Sequence, residues 1–189
     1  MFVAGTETTA LTLTWLWLLL DAHPAVLARV TEEVAAVIGT DVPQQHHLPA
    51  LVQTRMALQE VNRLYPVGWI LPRTLAQDDA IGGVPMRAGS TVLISPYLTH
   101  RLPGFWPEPL VFDPQRFADG SRPRSGYVAF GAGDHRCLGE HFAQTEVLLA
   151  VAATLSRFRP EIVRPQSIRA RATTTLRPTS LPRMRLHPR

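Results

Sequence analysis

Cys137 is the sole cysteine among 189 residues, and it stands in the stretch FGAGDHRCLG, residues 130–139. Phe130, Gly133 and Gly139 lie at −7, −4 and +2 from it. With this chain's own Phe and Gly frequencies, that coincidence has a chance of roughly one in several thousand. Glycines permit left-handed backbone angles and the close approach of a flat ligand. A helix expected over Leu138–Leu155 would begin just after the cysteine, with its free N–H groups and positive end towards the sulfur, which favours thiolate. One cysteine cannot form a disulfide within the chain. An inert thiol beside a loop is the bland alternative, and the spacing argues against it.

Thiolate is a soft axial ligand for haem iron, where its electron density favours O–O cleavage. Three further groups of residues could take part in such chemistry. EVNR puts Glu60 and Arg63 at i and i+3 of a helix, able to pair; alone, this suits an ordinary surface ion pair equally well. FDPQRF, about 50 residues further on, supplies Arg116. AGTETT, residues 4–9, sets the acid Glu7 beside the hydroxyl of Thr8 in an otherwise apolar helix, although the same threonines would suit a helix start. Arg73, in LPRTL, reads by itself as an ordinary exposed arginine. His23, His46, His47 and His141 have no metal-ligand spacing.

FGAGDHRCLG resembles the cysteine-loop signature of cytochromes P450, and the other motifs follow that family's order along the chain. The resemblance implies a mainly α fold with small β-sheets, a partial P450 fold in which residues 1–189 form a single partial domain. It implies haem b (iron protoporphyrin IX) ligated by Cys137, with Phe130, Gly131, Gly133 and Gly139 framing the ligand. His135 stands where many members carry an arginine that pairs with a haem propionate, and Arg136 follows it; Arg73 matches a second propionate partner. Glu60, Arg63 and Arg116 would form a buried structural cluster. Glu7 and Thr8 would deliver protons for O–O cleavage. The implied activity is monooxygenation: one oxygen atom enters an apolar small molecule and the other leaves as water, with electrons from a ferredoxin or reductase. The chain resembles the C-terminal half of the family, beginning within the central helix, so apolar faces on residues 2–20 and 138–155 are expected to be partly uncovered. The alternative is a non-catalytic truncated remnant with weak or no haem binding.

These residues need elements to hold them. An almost wholly apolar helix over residues 1–20 reads as central. His23-Pro24 ends it, and an amphipathic helix follows to about Ile38, stopped by Gly39. A third helix is expected over Leu48–Leu64. Residues 67–99 carry β-like runs, Trp69–Leu71 and Thr91–Ser95, separated by glycines and prolines. Residues 100–136 lack periodicity, and so long an irregular stretch in a compact domain is usually functional.

Bulk composition excludes several classes. At 46% hydrophobic the chain can build a core, and a lone cysteine fits a reducing compartment. All 19 basic residues are arginine, as expected of GC-rich coding. Residues 157–189 carry +8 and residues 1–156 carry −4. That tail reads as β structure with strand-like runs such as Thr173–Leu176; it lacks the interleaved aromatics of a nucleic-acid binder. The apolar run Ala10–Leu20, bounded by Glu7 and Asp21, is shorter than the roughly 20 residues of a membrane span and has no basic flank of a signal peptide. GC-rich style and His135 point to a soluble, cytoplasmic bacterial enzyme.

Overall fold

Helix α1 (Phe2–Ala22) is apolar around most of its circumference, and the other elements are arranged to cover it. The computed structural model describes residues 2–120, 126–163 and 168–189. Parts of the expected irregular stretch (121–125) and of the β tail (164–167) lie outside the described residues. Helices α2 (Pro24–Ile38), α3 (Val52–Leu64) and α5 (Glu140–Leu155) pack with α1 around one core. Leu16, Val34, Leu51, Val61 and Val151, drawn from all four helices and the start of α3, are 0% exposed. Each such side chain contributes about 1.5–3 kcal/mol through burial. A one-turn helix, α4 (Pro96–Thr99), opens the irregular stretch.

The third helix departs from expectation at its start. Residues Gln45–Ala50 form a 3-10 turn with Pro49 inside it, and Leu51 breaks to φ −80, ψ 63 before α3 begins. Leu51 has no side chain to cap the orphan N–H groups of α3. Glu33 of α2 does so instead: Oε1 accepts from the Gln53 N–H at 2.6 Å, and Oε2 from the Thr54 N–H at 2.9 Å and the Thr54 hydroxyl at 2.7 Å. A carboxylate at a helix N-terminus is favourable both as acceptor and as charge. Glu33→Ala is therefore expected to lower stability by about 1–2 kcal/mol, while Glu32→Ala, at an exposed neighbour, leaves the denaturation midpoint unmoved. Equal midpoints for the two variants would contradict this capping role.

The β structure consists of antiparallel pairs. β1 (Leu71–Thr74) pairs with β4 (Thr91–Ile94), and between them β2 (Asp79–Ile81) and β3 (Val84–Met86) form a hairpin. The first strand starts two residues later than the expected run. Trp69 is diverted: its indole N–H donates to the Thr173 carbonyl at 2.7 Å, and its own carbonyl accepts from the Ser95 hydroxyl at 3.0 Å. In the tail, β5 (Phe158–Ile162) pairs with β8 (Met184–Pro188), and β6 (Ala170–Ala172) with β7 (Leu176–Pro178). Thr173–Thr175, read as part of a strand, is the turn of the β6–β7 hairpin, closed by the Thr173 N–H on the Thr175 carbonyl at 3.0 Å. That hairpin is stitched to the body by the Leu176 N–H on the Val67 carbonyl (2.9 Å) and by the Trp15 indole N–H on the Leu176 carbonyl (3.1 Å). Among the described residues, no single helix is long and apolar enough to cross a membrane.

Candidate active site

The cysteine loop is shaped by its backbone. The Val128 carbonyl accepts from the Gly131 N–H at 3.0 Å, and the Phe130 carbonyl accepts from the Cys137 N–H at 2.8 Å. Between them Gly131 (φ 75) and Gly133 (φ 65) adopt left-handed angles. At Gly131 the need for glycine is double, because a Cβ there would lie 3.3 Å from the His135 carbonyl oxygen. The loop presents Cys137 exposed, while Phe130 is half-buried. Leu138, next to Cys137 in sequence, is 89% exposed, and Phe142 is 67% exposed. The expected partial uncovering is thus present at the start of α5, and also on α1, where Leu13, Trp17, Leu18 and Leu19 are half-buried.

Helix α5 begins two residues later than expected, with Gly139 as its N-cap. Cys137 therefore sits in the preceding turn, where its carbonyl accepts the Glu140 N–H at 3.4 Å. The departure at 135–136 also acquires a physical meaning. Arg136 is committed to Glu140, which is 5% exposed, through Nε to Oε2 at 2.7 Å. The His135 side chain is exposed and has no hydrogen bond or ion pair among the described residues. Arg73, half-buried on β1 opposite Val92, donates only to the Pro72 carbonyl at 2.8 Å and faces no carboxylate among the described residues.

Behind this loop the structure gathers Glu60, Arg63 and Arg116. Glu60 and Arg63 are both 0% exposed, so the pair is no surface contact. Arg63 grips Glu60 with two bonds, Nε to Oε2 at 2.6 Å and Nη2 to Oε1 at 2.8 Å. Its remaining donors go to the carbonyls of His100 (2.8 Å), Pro109 (2.7 Å) and Val111 (3.0 Å). Glu60 Oε1 further accepts from Arg116 Nε at 3.0 Å and from the Asp113 N–H at 2.9 Å. Both guanidinium groups stand over the Trp106 ring, at 5.2 and 6.0 Å from its centroid. The cluster uses charge to fix an otherwise irregular segment, residues 100–116, against α3.

His100, to which the sequence assigned no chemistry, lies at the edge of this cluster and is 0% exposed. Nδ1 meets the Arg63 carbonyl at 2.9 Å, and Nε2 meets the Val128 N–H at 2.9 Å. Its partners are backbone groups 37 and 28 residues away. No side-chain spacing in the sequence could have revealed them. Burial, followed by the Arg63 and Arg101 charges, pushes its pKa down from the usual 6.5 to about 4. The folded state thus holds the neutral ring between about pH 4 and 6.5, where the unfolded chain binds a proton. Stability from this residue is complete above about pH 6.5 and is lost as the pH falls towards 4, by about 3 kcal/mol. His100→Asn should flatten that part of the stability–pH profile. Parallel profiles for the two proteins would contradict it.

AGTETT lies inside α1, which rules out its reading as a helix start. Thr8 Oγ1 donates back to the Ala4 carbonyl at 2.6 Å. Glu7, with its side chain 50% exposed, pairs with Arg177 of β7 and accepts from the Thr175 hydroxyl at 3.1 Å. Among the described residues, no hydrogen bond of Glu7 or Thr8 reaches the cysteine loop.

Comparison with known proteins follows the same lines. The family model described as Cytochrome P450 matches residues 1–184. The chain is 38% identical over 179 residues to cyclooctatin synthase of Streptomyces melanosporofaciens, covering 93% of this chain and 39% of that protein. It is 36% identical over 179 residues to pentalenene oxygenase of Streptomyces avermitilis, covering 93% and 40%. It is 40% identical over 161 residues to cyclooctat-9-en-7-ol 5-monooxygenase of S. melanosporofaciens, covering 83% and 35%. The chain spans about two fifths of the length of these curated relatives.

Proposed function

The chain belongs to the cytochrome P450 family, and from that premise we propose that it carries the haem-thiolate centre of a monooxygenase acting on an apolar small organic molecule. The observation that supports this most is the presentation of Cys137: an exposed thiol on a glycine turn whose amide is pinned to the Phe130 carbonyl at 2.8 Å. The residues fit haem. A soft sulfur donor is exposed in a loop that also carries the exposed apolar Leu138, and a Cβ at Gly131 would crowd the His135 carbonyl oxygen at 3.3 Å. Cys137 would ligate the iron, and Arg73 and His135, neither engaged by an acid among the described residues, would receive the propionates. Bound there, haem supplies dioxygen reduction and transfer of one oxygen atom to a C–H bond.

The chain's own residues contribute position and protons. Gly131, Gly133 and Gly139 keep the backbone close and the thiol forward. Glu60, Arg63 and Arg116 hold the loop's foundation. Glu7, open to solvent through half of its surface, would collect protons and pass them to the adjacent Thr8 hydroxyl. Electrons would come from a separate ferredoxin or reductase, in the cytoplasm. The relatives named for pentalenene and cyclooctat-9-en-7-ol support a polycyclic or medium-ring hydrocarbon skeleton as the substrate class.

The test is turnover under ¹⁸O₂. Haem-loaded chain with ferredoxin, ferredoxin reductase and pentalenene is expected to yield product bearing one ¹⁸O atom. Product with unlabelled oxygen would overturn the reaction class. Failure of the chain to retain haem would favour the second reading, a non-catalytic remnant with weak or no haem binding, to which the exposure of Leu138 and Phe142 lends support.

A further inference from the structure

We propose that His100 is a positioning residue of the cysteine loop: a neutral, Nδ1-protonated imidazole that ties the end of α3 to the Val128 N–H and so fixes the irregular segment that enters the loop. A carbonyl oxygen can only accept, so Nδ1, 2.9 Å from the Arg63 carbonyl, carries the proton. A backbone N–H can only donate, so Nε2, 2.9 Å from the Val128 nitrogen, offers its lone pair. One tautomer satisfies both contacts; the imidazolium satisfies one.

The surroundings hold the ring in place. It stacks on Tyr127 at 5.3 Å between centroids with 13° between planes, and meets the edge of Trp106 at 6.5 Å. The residues entering the loop are then fastened one after another. The Gly126 carbonyl accepts the Trp106 indole N–H at 2.9 Å, and the Tyr127 hydroxyl donates to the Gln59 carbonyl of α3 at 3.2 Å. Val128 donates to His100. From Val128 two more bonds complete the path: its carbonyl takes the Gly131 N–H, and the Phe130 carbonyl takes the Cys137 N–H. Thus Glu60 and Arg63, which among the described residues have no hydrogen bond to the loop themselves, reach it through the His100 side chain, which touches both the Arg63 backbone and Val128.

Protonation would cut this tie at Nε2. The charged groups facing the ring are Arg63 from α3 and Arg101 from the segment after α4; both disfavour the cation. The latch therefore stays closed at neutral pH. Its consequence for catalysis rests on Cys137 being the iron ligand; the latch itself does not.

The test needs no haem, so its failure and a failure of the ligand assignment are separable. In the ¹⁵N-histidine-labelled 189-residue chain, long-range ¹H–¹⁵N correlation should give His100 a protonated Nδ1 and a bare Nε2, unchanged from pH 7 to pH 5. A protonated Nε2, or titration at the usual 6.5, would overturn the proposal. Amide exchange then tests the path. His100→Phe keeps the ring but removes both bonds, and should speed exchange at Val128, Gly131 and Cys137 by about tenfold, with α3 unaffected. If that variant loses protection throughout, His100→Asn decides, since its amide still donates to the Arg63 carbonyl but falls short of Val128. Faster exchange at Val128 with an unchanged Cys137 amide would mean that the ring holds only the residue it touches, and the proposal would fail.

Discussion

Arg63→Leu is expected to cost about 3–5 kcal/mol, a large part of the stability of any single domain. The side chain is 0% exposed, and five hydrogen bonds end on it. Its removal strands the backbone carbonyls of His100 and Pro109, while that of Val111 keeps Arg116 Nη2 at 3.4 Å. An unpaired buried acceptor costs about 1–3 kcal/mol, and Leu offers neither of them a donor. Glu60 retains Arg116 and the Asp113 N–H, so its charge remains partly compensated, which keeps the loss below the sum of the individual bonds. Glu60→Gln should cost less, because the amide oxygen can still accept, although its NH₂ would then confront a guanidinium. The double variant Glu60→Gln/Arg63→Leu should be less destabilised than the two single losses added together, as expected for members of one network. Chemical denaturation midpoints measure all three. A loss under about 1 kcal/mol for Arg63→Leu, the range of an exposed ion pair, would mean that the segment 100–116 holds its shape without the cluster.

Cys137→Ser should have the opposite profile: a complete effect on haem ligation and almost none on the fold. The thiol is exposed and makes no hydrogen bond among the described residues; what ties residue 137 to the loop is its backbone N–H on the Phe130 carbonyl. Serine keeps that bond and the size of the side chain. Substitutions at such positions move stability by about 0.5 kcal/mol or less. The soft sulfur donor, however, is lost, and the hydroxyl is a poor iron ligand at neutral pH. Helicity and the denaturation midpoint should therefore match the parent, while the thiolate signature in the reduced carbon monoxide spectrum vanishes. A variant spectrum equal to that of the parent would remove Cys137 from the iron.

What could be read from the sequence was what lies close together along it. The loop around Cys137 is local: its phenylalanine and glycines span ten residues, directly before the helix that follows, and carry their own spacing signal. The Glu60–Arg63 pair was equally local, but its burial was not, because that depends on the carbonyls of residues 100–111 folding onto it. Glu33 as the cap of α3 and His100 as the tie to Val128 were invisible for the same reason. Their partners are backbone groups, which every residue possesses and which leave no mark on residue type. The shift of the first β run came from Trp69 finding the Thr173 carbonyl about a hundred residues later, and the Thr173–Thr175 turn from the hairpin that this contact anchors. The interior place of AGTETT also needed the helix to be seen, since threonines suit a cap and a back-bonded helix alike.

The central claim is that Cys137 of this chain ligates haem iron as a thiolate. It is tested most directly by titrating the purified 189-residue chain with haem, reducing it under carbon monoxide and reading the Soret band. The account predicts binding of one haem per chain and the strongly red-shifted band of a thiolate–iron–carbon monoxide complex. Binding without saturation at one haem, or a band in the range of histidine-ligated haem, would contradict it.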